Sequence, residues 1–440
     1  MKKFVFALVI MCLFFGFAGA QTAEEYAKTG NEKFTAKDYK GAIESYTKAL
    51  ELYPNFTDVF FNRGQAYIKL EDYDNAINDF NKVLEFKADK AEAWYFRGNC
   101  KVFKKDLAGA VDDYSKAIEW KADYASAYFQ RGSVKKDQNK LTEAIADLSQ
   151  AITLKPDYKE AYFKRGVTYQ LSSKYTEAIA DYTKYAELNP KSQLAFDNMG
   201  ICKFNVKDYE GAVTDHSKAI ELKPDFYNAW FNRGMAYLAL SKFAEAKSDF
   251  TKVITLKADF ADAYYRRGLA ERSLDEASNA IADFGKAIEL NPKLAEAYLD
   301  RGITFHNGAN YQGAVDNFTK YIELNPSNSP VYVYRGKSYK LLKMADKASE
   351  DFNKAISLDA NNASAYVELG IDFEDAKDYV KALENFDKAI SIKADMADAW
   401  FYRGMVKEAQ GDKAGACADW KKGAELGSSS AKSNADAKCK

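Results

Sequence analysis

The side chains that could do chemistry in this 440-residue chain are few and widely spread: two histidines, His216 and His306, and five cysteines, Cys12, Cys100, Cys202, Cys417 and Cys439. Zinc-type binding needs several such ligands at close spacing, and neither histidine has a second histidine or cysteine so placed. Serines and aspartates are plentiful, but none pairs with a positioned base. The glycines stand singly, so no loop cradles phosphate. No catalytic, cofactor or metal-ligating residue is nominated, and no cofactor is implied. What does recur is a charge pair. Arginines stand at Arg63, Arg97, Arg131, Arg165, Arg233, Arg267, Arg301, Arg335 and Arg403. In eight cases an aspartate follows sixteen residues later, from Asp79 behind Arg63 to Asp419 behind Arg403; Arg301 is followed by Asn317. Guanidinium and carboxylate form two-pronged hydrogen bonds, so this spacing predicts a ladder of ion pairs.

The elements that position the ladder follow a strict period. A glycine just after each arginine repeats every 34 residues from Gly30 to Gly404, and an alanine from Ala42 to Ala416. Twelve copies, 23–56, 57–90 and onward to 397–430, run without insertion or deletion. A fixed period of this length denotes a stacked-repeat solenoid. Within a copy the marks recur at three or four residues, giving two amphipathic helices. Prolines such as Pro54, Pro156 and Pro224 punctuate the joints. A mid-helix glycine costs roughly 1 kcal/mol relative to alanine, so a packing gain must offset it; close approach of the two helices supplies one.

These marks resemble the tetratricopeptide repeat (TPR) family. Its aromatic, glycine, tyrosine, alanine and aromatic pattern falls on Trp230, Gly234, Tyr237, Ala246 and Phe250, with Pro224 closing the unit before. The resemblance covers most of the chain. It implies an all-α, right-handed superhelical α-solenoid whose concave face is lined by the first helices. It also implies a protein or peptide ligand in that groove.

On that face, position five of the unit holds Phe61, Tyr95, Phe129, Phe163, Phe231, Tyr265 and Phe401. Position two is often acidic: Asp58, Glu92, Glu160, Asp262 and Glu296 among others. One reading is a groove of rings and carboxylates for a peptide, including one that carries lysines. The other has the rings packed on the neighbouring first helix and the acids serving the helix dipole. The family's clamp for a C-terminal carboxylate needs lysine on this face, and position five has none. His216 takes the second-helix ring position and reads as core.

Both ends differ from the repeats. Two lysines, an apolar run from Phe4 to Phe17 and Ala18-Gly19-Ala20 have the layout of a secretory signal peptide over residues 1–20. Export would permit a disulfide. If residues 431–440 return as a short capping helix, Cys439 comes level with Cys417; the alternative is a frayed polar tail with two free thiols. With 63 Lys and Arg against 64 Asp and Glu, no basic excess invites nucleic acid, and no membrane span remains after signal cleavage. Asn325–Pro330, with two prolines, is either an internal seam or helix punctuation with Ser329 as the cap. The composite expectation is a non-catalytic protein-interaction scaffold of the periplasm or cell envelope, or a secreted one. A carbohydrate-binding module is the alternative.

Overall fold

The computed structural model describes residues 21–439, so the expected signal peptide lies outside the described residues. Among the described residues there are 25 α-helices and no strand. A 13-residue first helix alternates with a 14-residue second helix, starting with Ala23–Thr35 and Tyr39–Leu52. The last pair is Ala397–Ala409 and Lys413–Glu425, with 13 residues in each helix. Each first helix packs on its own second helix as a hairpin.

The turn between them is closed by backbone geometry. Lys37 is left-handed, with φ of 64°. Its N–H donates to the Phe34 carbonyl at 3.0 Å, and Asp38 N–H to the Lys33 carbonyl at 2.9 Å. This pairing satisfies carbonyls that a helix end otherwise leaves open. The Asp38 carboxylate then accepts from the Gly41 N–H at 2.9 Å and caps the next helix. The left-handed position recurs in every such turn, yet glycine fills it only at Gly411. The turn is therefore held by its hydrogen bonds rather than by residue choice.

Inside the hairpin the periodic glycine sits beneath a second-helix ring. A Cβ on Gly234 would lie 2.9 Å from Phe250 Cε1, and one on Gly98 would lie 2.8 Å from Tyr114 Cε1. Those rings are fully buried, as are Ala42, Ala76, Ala110 and their equivalents. This contact is the gain that offsets the glycine penalty: the ring occupies the space a side chain would take.

The chain divides into two compact units at Leu222/Lys223. The Asn325–Pro330 joint lies inside the second unit. Pro330 falls in the first turn of Ser329–Leu341, and the N-cap is Asn328 rather than Ser329. The Ser329 hydroxyl instead donates to the Ala355 carbonyl at 2.8 Å, which ties the joint to the second helix that follows.

The C-terminal segment forms a helix, Ser429–Lys438. It starts two residues before Ala431 because the Ser428 hydroxyl caps the Ala431 N–H. Ala431 is fully buried in a cluster with Ala416 and Trp420, and a Cβ on Gly423 would lie 2.9 Å from its methyl. Cys417 and Cys439 are joined by a disulfide, their Cα atoms 5.5 Å apart. Cys100 and Cys202 are free and buried, and burial pushes both thiols up to about 12.

Candidate functional site

Positions two and five of a first helix lie three residues apart and share one face. The structure turns the position-five rings partly inward. Phe61 meets Phe80 of its own second helix at 5.8 Å and Phe96 of the next first helix at 5.7 Å, both edge-on. Tyr95 lies 5.0 Å from Tyr124, Phe129 lies 4.9 Å from Tyr158 and Phe231 lies 5.1 Å from Phe260, all rings of the inter-repeat joints. Phe163 packs on Tyr182 and Tyr185, and Phe401 on Tyr402 and the Trp420 cluster. These six are half-buried. Tyr265 is buried and donates to Asp300 Oδ2 at 2.8 Å. The rings thus pack mainly on their own hairpin and its joint.

Of the acids, Asp58, Glu160, Asp262 and Glu296 are exposed and Glu92 is half-buried. Asp58 pairs with Lys90 at 3.0 Å, and that ammonium lies 4.4 Å from the centre of the Phe61 ring. The Lys90 hydrogen bond holds the Asp58 carboxyl below its usual range. Glu92 lies 3.7 Å from Lys121, and Glu160 4.0 Å from Lys159.

The arginine ladder forms along the hairpins. Arg63 Nε and Nη2 donate to Asp79 at 2.9 and 2.8 Å. The same fork joins Arg97 to Asp113, Arg131 to Asp147, Arg165 to Asp181, Arg233 to Asp249, Arg267 to Asp283, Arg335 to Asp351 and Arg403 to Asp419. Two features go beyond the sequence expectation. First, Nη1 reaches back to the preceding repeat: Arg63 to Thr47 at 3.0 Å, Arg131 to Ser115 at 3.0 Å and Arg335 to Thr319 at 3.1 Å. The ladder therefore ties repeats together as well as helices. Its sequence signal is a polar residue sixteen places before the arginine. Second, the aspartates are buried, Asp113 being 2% exposed, a feature that the spacing alone does not state. Burial outweighs pairing at Asp79 and raises its carboxyl, while hydrogen bonding to Asp79 raises the Arg63 guanidinium. For a pair covered in this way the cost of burying both charges offsets much of their attraction, whereas removing one partner leaves the other buried and unpaired.

His216 is a core residue, whereas His306 is half-buried. His216 is buried over Gly200, its Nδ1 2.8 Å from Asp197 Oδ1. Asp197 fills position five of its repeat, so a single unit departs from the pattern at both ring positions. That joint departure was the available signal. His306 Nδ1 lies 2.8 Å from Ser338 Oγ, and burial lowers its pKa. Among the described residues no group of three or more His, Cys, Asp or Glu could hold a metal ion, and no helix is long and apolar enough to cross a membrane.

Comparison with known proteins matches this architecture. A model described as "TPR repeat" fits residues 30–70 and 133–173. Models described as "Tetratricopeptide repeat" fit 57–89, and 91–124, 159–192, 227–260, 261–294 and 329–362. Together they cover more than half of the chain. The chain belongs to the tetratricopeptide repeat family.

Two curated TPR relatives align over a short stretch. Heat shock protein STI1 of Saccharomyces cerevisiae is 47% identical over 51 residues, 11% of this chain and 9% of its own length. Small glutamine-rich tetratricopeptide repeat-containing protein 2 of Mycosarcoma maydis is 46% identical over 48 residues, 11% of this chain and 14% of its own. The chain thus spans less than a sixth of either. Among solved structures, YrrB, a TPR protein with an unusual peptide-binding site, shows 25% identity and a TM-score of 0.39, covering 42% of this chain and 95% of that one. Yeast Tom70 shows 20% identity and a TM-score of 0.39, covering 95% of each chain. TPR arrays are protein–protein interaction scaffolds and generally non-catalytic.

Proposed function

We propose that this TPR protein is exported to the periplasm or cell envelope and holds a lysine-bearing segment of a partner protein along its first-helix face. The observation that carries the reading is Lys90. Its ammonium sits between the Asp58 carboxylate and the face of the Phe61 ring, so the chain's own lysine displays how an acid–ring pair holds a cation. The same pair recurs in the first compact unit as Glu160 with the half-buried Phe163, its acid exposed. Sugar stacking needs a broad free ring face, whereas Phe61 and Phe163 offer only the part left by neighbouring rings, and on Phe61 that part takes one ammonium. That favours a peptide over the carbohydrate reading. The disulfide between Cys417 and Cys439 fits an oxidising compartment and supports export, as does the leader-like N-terminus.

Cross-linking mass spectrometry on intact envelopes tests this directly. The expected result is partner lysines linked to Glu92, Glu160 and their neighbours in the first compact unit, with capture weakened by Glu92→Gln and Glu160→Gln together. Links confined to second helices, or glycan-array binding with no protein captured, would overturn it.

A further inference from the structure

Repeat 9 keeps its arginine but has lost both groups that the ladder uses to satisfy it. Arg301 faces Asn317 where eight other rungs have aspartate, and only its Nε–H finds an acceptor, Asn317 Oδ1 at 2.8 Å. The other half of that amide is turned away, its Nδ2 donating to the Gly313 carbonyl at 2.7 Å. The group reached by Nη1 in the preceding repeat, for example Thr47, Ser115 or Thr319, is here Gly285. A Cβ on Gly285 would lie 3.2 Å from Arg301 Nη1, so that nitrogen overlooks the place of a missing side chain. Among the described residues the Nη donors have no hydrogen-bond partner.

Arg301 also lines a cleft of about 470 Å³ beside the second helices of repeats 9 and 10, Tyr311–Leu324 and Ala345–Leu358. Lys320 and Lys347 also line it, together with Gln312 and one carboxylate, Asp316. Asp316 is engaged by Gln312 Nε2 at 2.8 Å, and Lys320 pairs with Glu323 at 2.7 Å. The cleft carries three cations against its single acid. Burial holds the Arg301 guanidinium below its ordinary pKa, the reverse of the direction at the paired Arg63, Arg165 and Arg335. An arriving anion would relieve that cost.

We propose that repeat 9 contains an oxyanion site, in which the Nη edge of Arg301 binds a phosphate- or carboxylate-type group entering the cleft beside Lys320 and Lys347. Guanidinium presents parallel donors suited to two oxygens of one group. The missing partner in the rung is itself a carboxylate, so the site asks for what the sequence removed. The source is either a free small anion or an acidic side chain of a partner. Arg301 is position seven of its first helix, Ala295–Asn307, off the face formed by positions two and five, so the site stands or falls apart from that face.

The test is calorimetric titration of the mature full-length chain with sodium phosphate and, separately, with an acetylated and amidated Ala-Glu-Ala peptide, at ionic strength matched with chloride. Saturable binding of at least one probe is expected. Asn317→Asp, which supplies the carboxylate of the other rungs, should weaken it at least about tenfold while raising Tm. Tighter binding of phosphate assigns a free anion; tighter binding of the peptide assigns a partner's side chain. No response beyond the chloride control with either probe, or unchanged binding in Asn317→Asp, overturns the site. Gly285→Ser, which returns an acceptor to Nη1, provides a second variant expected to weaken binding; full binding in both variants would likewise exclude Arg301 as the ligand-holding group.

Discussion

Repeats 3 and 8 share a framework and carry opposite charges beside the ion pair, Lys101 in one and Glu271 in the other. In both, a ring covers the glycine at the same distance: Tyr114 Cε1 and Phe284 Cε1 lie 2.8 Å from a Cβ built on Gly98 and Gly268. In both, the fork closes, Arg97 on Asp113 at 2.8 Å and Arg267 on Asp283 at 2.6 Å. Four residues after the arginine, however, repeat 3 has Lys101, whose ammonium lies 2.9 Å from Asp113. Repeat 8 has Glu271, buried, with Oε2 unpartnered. Two cations hold one carboxylate in the first case; two carboxylates compete for one guanidinium in the second. Burial, with Asp283 beside it, pushes the Glu271 carboxyl up to about 7. The glycine–ring contact thus sets the hairpin, while the rung is adjustable residue by residue without disturbing it.

The largest expected effect separates the two repeats. Asp113→Ala leaves Arg97 and Lys101 facing each other with no counter-charge, a loss of about 3–5 kcal/mol. Asp283→Ala should cost well under half as much, because Glu271 can then ionise and take over Arg267. Hydrogen exchange of each hairpin is the measurement, since repeats open locally. Equal losses would break the comparison.

Next comes pH. Arg267, Lys247, Asp283 and Glu276 all act on Glu271. Its folded pKa is raised above the ordinary 4.5, so its stabilising share is fully present below that value and lost as pH rises towards about 7. Between those limits the repeat 8 hairpin should weaken, by on the order of 2 kcal/mol, while Glu271→Gln flattens the slope. An unchanged slope in that variant would assign the effect elsewhere. Smaller still is the glycine contact. Gly98→Ala and Gly268→Ala should each overpack by about 1–3 kcal/mol, offset by about 1 kcal/mol of helix propensity. The two should match, and a clear difference in Tm would show that the framework is not common to them.

The period made the intrahelical and hairpin geometry legible before any coordinates. Gly234 beneath Phe250 and Arg63 opposite Asp79 both follow from residues that recur in phase, because one hairpin repeats a local packing problem. Contacts that depend on how hairpins stack were harder to see. The reach of Arg63 to Thr47, the inward turn of Phe61 and the placement of Lys90 over its ring depend on the stacking of hairpins and the path of the joints, neither of which the period states. Departures were legible as residues but not as consequences: Asn317 was visible beside Arg301, whereas the coincidence with Gly285 needed the preceding repeat in place. The burial of the aspartates was also missed, since a charge sixteen residues from its partner reads the same whether covered or exposed.

The smallest expected change sharpens the opening comparison most. Glu271→Lys should convert repeat 8 into repeat 3, with the new ammonium placed on Asp283 as Lys101 is on Asp113. The gain is about 1 kcal/mol, the scale of one net hydrogen bond in place of an unpartnered buried oxygen. Its value lies in the cycle with Asp283→Ala. In the wild-type background removing Asp283 frees Glu271 to pair with Arg267; in the Glu271→Lys background it strands two cations. The loss should therefore grow to match that of Asp113→Ala, giving a coupling energy between positions 271 and 283 of opposite sign to an ordinary like-charge pair. Additive losses would mean that the two side chains do not sense each other, and the difference between the repeats would then rest on something other than this charge.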